Sequence, residues 1–205
     1  MSEPIDHFRF CPACGRPLPA ASAASHPQSQ VESDGAAPAR VISCRACGFL
    51  YHFNPTVAAG IILTRPDGTA LFIRRAKDPE RGKLALPGGF IEIGETAEVS
   101  LRREIIEEVG LEVGDIAFLC SEVNAYEYRA VTYPVLDLFF TASVSQSIRP
   151  EPLDDVAEIS WLDPRQVDPE QIAFPSVRAA VRTFVARLSA GQGEKIGRAS
   201  CRERV

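Results

Sequence analysis

The side chains with the clearest chemical potential lie between residues 89 and 111, directly after a Pro-Gly-Gly turn. Charged residues recur there at fixed offsets: Glu95, Arg103, Glu104, Glu107 and Glu108. If the segment is helical, a rotation of about 100° per residue brings the glutamates at 104, 107 and 108 into one arc. Crowded carboxylates repel one another, and partial burial makes some of them take up protons. A hard divalent cation removes both problems; Mg²⁺ is the expected ion, with Mn²⁺ as a substitute.

A solvated acidic helix face is the alternative interpretation of these glutamates. Arg102 and Arg103 could stabilise such a face through salt bridges one turn apart. The glycine turn and the complete spacing favour the metal site instead.

The spacing follows the pattern G-x5-E-x7-R-E-U-x-E-E-x-G-U, where U is aliphatic, with every fixed position filled. It resembles the Nudix box, the signature of hydrolases that cleave a nucleoside diphosphate linked to another group. The resemblance implies Mg²⁺-dependent hydrolysis of a phosphoanhydride. It also implies that Arg103 orients the carboxylates, as its i,i+4 relation to Glu107 supports, and that Glu95 ties the loop to the helix.

The resemblance assigns the metal site as well. It makes Glu107 and Glu108 direct ligands and Glu104 either a ligand or the general base, and the Gly88 carbonyl is a further expected ligand. In many relatives the base is an acid from a later loop, and four such acids are available here: Glu151, Asp154, Asp155 and Glu158. For each of the four, a solvated loop side chain is the alternative, and the sequence does not choose among them.

Four cysteines form a second motif, two CxxC pairs that are each followed by glycine: Cys11, Cys14, Cys44 and Cys47. Four thiolates predict a closed, structural Zn²⁺ site. Disulfides or free thiols are the alternatives, and disulfides need an oxidising compartment. The first residues do not resemble a signal peptide, so a cytoplasmic location is expected. The gap between the pairs is long because residues 20–39 are rich in Ala, Ser and Pro, which predicts a flexible insert.

The surrounding elements must position these groups. Thr96 is a predicted helix N-cap and Gly110 a predicted C-terminal glycine, with a helix of about four turns between them. Strands are predicted at residues 57–64, 69–74, 84–86, 115–121, 134–144 and 158–162, and a second helix at 175–190. This order suits an α/β fold with a mixed sheet between helical layers. The resemblance implies the same fold, a Nudix α/β/α sandwich over residues 55–190, after a zinc ribbon at 1–54 and before a tail at 191–205 that is excluded from the fold.

Charge limits the partners. The net charge is −5, and the charged residues of positions 1–50 sum to zero, so the ribbon has no basic patch for nucleic acid. No apolar run reaches the roughly 20 residues that span a bilayer. We therefore expect a small-molecule nucleotide as partner, no nucleic acid and no membrane, and a ribbon that serves stability or contact within a homodimer. A catalytically silent Nudix sensor and a zinc-ribbon nucleic-acid binder are the alternative functions.

The substrate is less constrained. Zinc-ribbon NADH pyrophosphatases resemble this chain but carry a Ser-Gln-Pro-Trp-Pro-Phe-Pro run that is missing here. The Tyr-x-x-Asn-Pro junction at residues 51–55 fits better the group that includes FAD and ADP-ribose pyrophosphatases. Arg74 and Arg75 are candidate phosphate contacts, with exposed strand-edge charges as the alternative. Tyr128, with Tyr126 and Tyr133, is a candidate to stack on a base, with ordinary packing as the alternative.

Overall fold

The computed structural model describes residues 2–18 and 41–190, which form two compact units. One unit comprises Met1–Thr56 with Ala125–Val135, and the other comprises Val57–Asn124 with Leu136–Val205. The predicted insert at 20–39 and the predicted tail, including Cys201, lie outside the described residues. No helix in the described ranges is long and apolar enough to cross a membrane.

The first unit is built on two similar cysteine turns. A 3-10 helix spans Pro4–His7, and strands β1 (Val41–Ser43) and β2 (Leu50–His52) pair antiparallel. Gly15 and Gly48 adopt φ of 71° and 76°, in the left-handed region that glycine tolerates best. Each donates its N–H to the carbonyl of the cysteine four residues earlier, at 2.9 Å. The two CxxCG segments therefore fold as equivalent knuckles.

The second unit centres on a mixed sheet. Its strands are β3 (Thr56–Thr64), β4 (Ala70–Arg75), β5 (Leu84–Ala85), β6 (Gly88–Phe90), β7 (Ala117–Tyr128), β8 (Val131–Ser143) and β9 (Val156–Leu162). The main order is β5-β4-β3-β8-β7, while β6 pairs with β3 and β9 pairs with β4. The tip of the β7–β8 hairpin, residues 125–135, belongs to the first unit.

Two helices cover the two faces of this sheet. Helix α1 (Ala97–Val109) buries Leu101, Ile105 and Val109 on one face, and all three are fully inaccessible to solvent. Helix α2 (Pro175–Ser189) packs on the other face, in a core that includes Phe72 and Phe139. The predicted α/β/α sandwich with a mixed sheet is thus confirmed.

The predicted elements all exist, and their limits differ most in the long hairpin. The sequence predicts strands at 115–121 and 134–144, whereas β7 and β8 continue to Tyr128 and start at Val131. Polar residues such as Glu122 and Asn124 weaken the apolar signal of β7. The ladder with β8 supplies the hydrogen bonds that extend it.

Candidate active site

Helix α1 is fixed at both ends, which sets the direction of its glutamates. The Thr96 hydroxyl accepts a hydrogen bond from the Val99 N–H at 3.3 Å, as predicted for the N-cap. Gly110 adopts φ 66° and donates its N–H to Ile106 at 3.0 Å, which ends the helix as predicted. Because the apolar residues of α1 pack against the sheet, the helical geometry fixes the direction in which the glutamates of the same helix point.

Arg103 binds three glutamates at once. Its Nε and Nη2 donate to the two oxygens of Glu95 at 2.8 and 2.9 Å, and its Nη1 donates to Glu104 at 2.9 Å and to Glu107 at 3.1 Å. The bidentate pair is the stronger geometry, and the hydrogen bond from Arg103 lowers the pKa of Glu95 to about 2. Arg103 thus joins the loop before α1 to the acidic face of the helix.

Glu108 is the most buried acid of the box. Burial raises the pKa of its carboxyl to about 8, although the Gly88 N–H donates to it at 2.9 Å and favours the charged form. The charge of Glu104 adds to the rise, and the positive charge of Arg75 opposes it. Burial likewise raises the pKa of Glu104. Two neighbouring carboxyls that resist ionisation would gain most from a bound cation.

The glycine turn lies directly against these acids. Gly88 has φ 140°, and a Cβ built there would lie 2.1 Å from the Ala59 carbonyl oxygen. A Cβ on Gly89 would lie 2.4 Å from the Glu104 Oε1. Only glycines allow β6 to approach both β3 and the helix this closely. The structure therefore brings Glu104, Glu108 and the turn together, an all-oxygen donor set suited to Mg²⁺.

Glu107 occupies a different position from its two neighbours. Its side chain is 51% exposed and bonded to Arg103. Within residues 2–18 and 41–190, only the cysteines place three or more ligating atoms of Cys, His, Asp or Glu within 4.8 Å of one another. The three predicted Mg²⁺ ligands do not form such a cluster in the described residues, and one oxygen of Glu107 is bonded to Arg103.

The structure separates the four loop acids. Asp155 forms an ion pair with Lys77, and Glu158 forms one with Arg74 at 3.0 Å. Asp154 has φ 39°, an uncommon conformation for a residue with a side chain, and its charge raises the pKa of Glu108.

Two backbone bonds attach this loop to the end of α1. The Glu151 N–H donates to Val109 at 3.1 Å, and the Leu153 N–H donates to Glu108 at 3.0 Å. Asp154 directly follows the second of these anchors, so its position beside the box is set by the backbone. Sequence spacing alone carries no signal of this attachment.

The predicted substrate contacts fall in different places. Arg74 donates to Glu158 and to the Gly82 carbonyl. Arg75 donates to the Pro79 carbonyl at 2.8 Å, and its guanidinium lies 5.0 Å from the Phe174 ring centroid. In the sequence, the run Ile172-Ala173-Phe174 before the second helix fits the group that includes FAD and ADP-ribose pyrophosphatases, but its spacing carries no signal that Phe174 contacts Arg75.

Tyr128 lies in the first unit, 45% exposed at the end of β7, with the Arg129 guanidinium over its ring. Its neighbour in the prediction, Tyr126, belongs to the same hairpin tip. The role of Tyr128 in stacking on a base stays a prediction.

The four cysteines of the first unit converge. All four Sγ atoms lie within 4.8 Å of one another, with Cys11–Cys47 at 3.6 Å and Cys14–Cys44 at 3.7 Å. Zn–S bonds of about 2.3 Å at tetrahedral angles separate the sulfurs by about 3.8 Å. The thiols are free rather than paired in disulfides. Backbone N–H groups of Cys47 and Ala46 lower the pKa of Cys44 to about 6, while the neighbouring thiols raise the pKa of Cys47, so the cluster favours one thiolate first.

Fold, box and turn define the class of protein. Residues 54–184 match the sequence model of the NUDIX domain. The chain therefore belongs to the NUDIX family, and the four-cysteine cluster is consistent with its zinc-ribbon members.

Known proteins give the same class. Over 60 residues the chain is 47% identical to an ADP-ribose pyrophosphatase of Methanocaldococcus jannaschii, which covers 29% of this chain and 35% of that protein. Over 183 residues it is 25% identical to the NAD-capped RNA hydrolase NudC of Pseudomonas aeruginosa, which covers 89% of this chain and 58% of that protein. The chain thus spans between about a third and three-fifths of these relatives. The crystal structure of a NUDIX hydrolase from Nitrosomonas europaea shares the fold at a TM-score of 0.62 and 22% identity, over 90% of this chain and 94% of that one.

Proposed function

We propose that this protein is a Mg²⁺-dependent pyrophosphohydrolase that cleaves a nucleoside diphosphate linked to another group. The observation that carries the proposal is the contact of Glu104 and Glu108 with the Gly88-Gly89 turn. Two partly buried carboxyls whose pKa is raised by desolvation, together with a backbone carbonyl, suit a hard cation that also takes phosphate oxygens as ligands. When bound, Mg²⁺ supplies charge compensation and activation of water for phosphoanhydride hydrolysis.

The residues of the box then have separate roles. Glu104, Glu107, Glu108 and the Gly88 carbonyl would hold the cation. Arg103 positions the acidic face, since its bonds to Glu95 fix the guanidinium from the loop side. Phosphoryl transfer is catalysed mainly by positioning and electrostatic stabilisation. A metal ion with its ligands can supply both, so no covalent nucleophile of the protein is required.

Among the candidates for the general base, contacts favour Asp154 or Glu104. Asp155 and Glu158 are engaged by Lys77 and Arg74. Neither Glu151 nor Asp154 has an ion pair in the described residues, and of these two it is Asp154 whose charge acts on Glu108. Glu104 is bonded to Arg103, which favours its charged form. An acid next to the metal site but outside its ligand set is the better placed to take a proton from water, so we assign Asp154 as the base.

The linked group is proposed to be a second nucleoside or a ribose, as in FAD or ADP-ribose. The junction at residues 51–55 and the 47% identity to the ADP-ribose pyrophosphatase support this class. Arg75, with its charge near Glu108 and its guanidinium over Phe174, is the proposed phosphate contact of the protein.

A second candidate substrate is a NAD-type dinucleotide, either free or at the end of an RNA. The relative named NAD-capped RNA hydrolase matches 89% of this chain. Cleavage of NAD would be a reaction of the same class, since NAD also contains a pyrophosphate between two nucleosides. The missing aromatic-proline run keeps this candidate second.

We also propose that the four cysteines bind one structural Zn²⁺. Two of the sulfur pairs lie within about 0.2 Å of the tetrahedral value, and this spacing and the absence of disulfides among the described cysteines support the proposal. Four thiolates close the coordination sphere, so the ion stabilises the ribbon and leaves no open position for water.

One experiment tests the catalytic proposal directly. The purified chain is incubated with Mg²⁺ and, separately, ADP-ribose, FAD, NADH, a dinucleoside tetraphosphate, a nucleoside triphosphate and NAD-capped RNA. Mass spectrometry in ¹⁸O-water identifies the products and the phosphorus attacked. Cleavage between the two phosphates of ADP-ribose or FAD is expected. No Mg²⁺-dependent product from any compound would favour the silent Nudix sensor.

A further inference from the structure

The turn at residues 153–156 carries Asp154 and is attached to the box helix, α1. The Val156 N–H donates to the Leu153 carbonyl at 3.0 Å and closes the turn. The Leu153 N–H donates to the Glu108 carbonyl, also at 3.0 Å, in the last turn of α1. Asp154 follows with φ 39°, a conformation that few residues with a side chain adopt. Such a conformation persists only where the surrounding contacts hold the chain in place.

The other side of the turn is held by the two residues that follow β4. The Ala76 N–H donates to the Asp155 carbonyl at 2.9 Å, and the Lys77 ammonium forms an ion pair with Oδ1 of the Asp155 carboxylate. That oxygen is inaccessible to solvent, although the Asp155 side chain as a whole is 44% exposed. Ala76 therefore holds the backbone of Asp155, and Lys77 holds its side chain.

Strand β9 is irregular directly after this turn. Its ladder with β4 pairs Arg75 with Val156 and Arg74 with Glu158, so Ala157 is an additional residue between the two pairs. A bulge of this kind interrupts the ladder and changes the direction of the residues next to it. The ladder alone therefore does not fix the turn, and the Lys77 contact adds a side-chain restraint at this point.

Lys77 contributes little to the stability of the fold through this ion pair. Its side chain is 68% exposed, and ion pairs between solvated side chains are weak because water and salt screen them. The ammonium faces both acids of the turn, since Asp155 first and the charge of Asp154 after it raise the pKa of Lys77. A role in positioning accounts for this contact better than a role in stability.

We propose that Lys77 is a positioning residue, which holds the turn at residues 153–156 through Asp155 so that Asp154 stays beside the carboxylates of the box. The inference rests on the proposed function, in which Asp154 is the general base. A general base must lie within hydrogen-bond reach of the water that it deprotonates. A displacement of about 1 Å, caused by a substitution away from the chemistry, can lower the rate by about a hundredfold. Lys77 does not contact the reacting atoms and acts only through Asp155.

Steady-state kinetics with Mg²⁺ test this role, with ADP-ribose or whichever of the compounds named above is hydrolysed fastest. Lys77→Met keeps the length of the side chain but removes its charge. It should lower kcat by about tenfold and change KM little, as expected when a contact that supports the transition state is lost. Lys77→Arg keeps a cation beside Asp155 and should restore most of kcat. Both variants should unfold at temperatures close to that of the wild type.

A double-mutant cycle shows whether Lys77 acts through Asp155. Asp155→Asn keeps the backbone bond to Ala76 and removes the charge that Lys77 binds. The variant with both Lys77→Met and Asp155→Asn should be no slower than the slower single variant, because the same contact is lost in each. A Lys77 that binds the phosphates of the substrate would instead raise KM when replaced, and its effect would multiply with that of Asp155→Asn.

Arg165→Met is the matched control. Arg165 is an exposed cation that pairs with Asp163 at 2.8 Å, beyond the opposite end of β9. Its replacement also breaks an ion pair but lies away from the turn, so kcat and KM should both stay at their wild-type values.

The inference is overturned if Lys77→Met keeps the wild-type kcat, if Lys77→Arg is as slow as Lys77→Met, or if the effects of Lys77→Met and Asp155→Asn multiply. It is also overturned if Asp154→Asn hydrolyses the substrate at the wild-type rate, since the turn then carries no base. Mg²⁺-dependent hydrolysis in any of these cases leaves the proposed reaction standing. Absence of turnover by the wild-type protein with every compound defeats the proposed function and this inference with it.

Discussion

The Gly88 N–H donates a hydrogen bond to the Glu108 carboxylate across 2.9 Å, and this bond links the glycine turn to the box helix. The same turn makes room for Glu104, which would collide with any side chain at Gly89. Turn and helix thus form one unit, in which the backbone of β6 and the carboxyls of α1 face the same space.

Replacing Glu108 tests the proposed metal site. Glu108→Gln keeps the shape of the side chain and a hydrogen-bond acceptor for Gly88 but removes the negative charge that a cation needs. Hydrolysis with Mg²⁺ is expected to fall by at least about a hundredfold, with the fold retained. Glu98→Gln, an exposed acid in the first turn of the same helix, is the control and should keep its activity. Near-normal turnover by Glu108→Gln would show that Glu108 is not a ligand of the catalytic cation.

The raised pKa of Glu108 also predicts a pH dependence of stability. Its ordinary value is 4.5, and burial raises it to about 8 in the folded protein. Below pH 4.5 the carboxyl is protonated in both states. Between the two values the unfolded chain ionises first, so the free energy of unfolding falls with pH, by at most about 1.4 kcal/mol per unit. Above the folded value the effect is constant.

Urea unfolding between pH 5 and 8.5, without added Mg²⁺, measures this slope. Glu108→Gln cannot ionise, so it should lack this part of the slope and exceed the wild type in relative stability at pH 8. Saturating Mg²⁺ should flatten the wild-type curve, because it binds the charged form. Parallel curves for wild type and variant, with and without Mg²⁺, would contradict the assignment.

The two glycines of the turn should fail in different ways when substituted. A Cβ at Gly88 meets backbone, the Ala59 carbonyl, and its φ of 140° is strained for any other residue. Gly88→Ala is therefore expected to destabilise the fold by several kcal/mol. A Cβ at Gly89 meets only the end of the Glu104 side chain, which can rotate away. Gly89→Ala should thus keep most of the stability and lose activity, as chemical denaturation and turnover assays will show.

Much of this site could be predicted from sequence, since local rules determine it. Thr96 and Gly110 carry their own capping signals, and the register between them follows from the apolar stripe. The i,i+4 spacing also predicts the contact of Arg103 with Glu107, which the structure shows at 3.1 Å. Spacing alone does not predict that the same guanidinium also binds both oxygens of Glu95, eight residues earlier in the chain.

Tertiary contacts decide the remaining features. The four loop acids look alike in sequence, and only their partners distinguish Asp154 from Asp155 and Glu158. These features depend on chain segments far apart in sequence.

Arg103 should not tolerate replacement by lysine. Its planar guanidinium bonds to both oxygens of Glu95 and reaches Glu104 and Glu107 from Nη1. A lysine ammonium keeps the charge but loses this fork geometry. Arg103→Lys is expected to reduce kcat by about tenfold or more, while Arg102→Lys, whose guanidinium caps backbone carbonyls of Val113 and Gly114, should act mainly on stability. Equal kinetic effects of the two substitutions would argue against a positioning role for Arg103.

The cysteine cluster predicts one Zn²⁺ per chain. Freshly purified protein should contain one equivalent by elemental analysis, because the four sulfurs lie within 4.8 Å of one another and two of their pairs are at near-tetrahedral spacing. Cys44→Ser removes the thiol whose pKa is lowered to about 6 and should abolish tight binding. Cys120→Ser, at a free cysteine in the second unit, is the control and should retain the metal. Zinc-free wild-type protein, or full zinc in Cys44→Ser, would contradict the site. Loss of zinc from Cys44→Ser should lower the melting temperature while intrinsic Mg²⁺-dependent turnover persists at temperatures where the second unit stays folded, because a closed four-thiolate site takes no part in the chemistry.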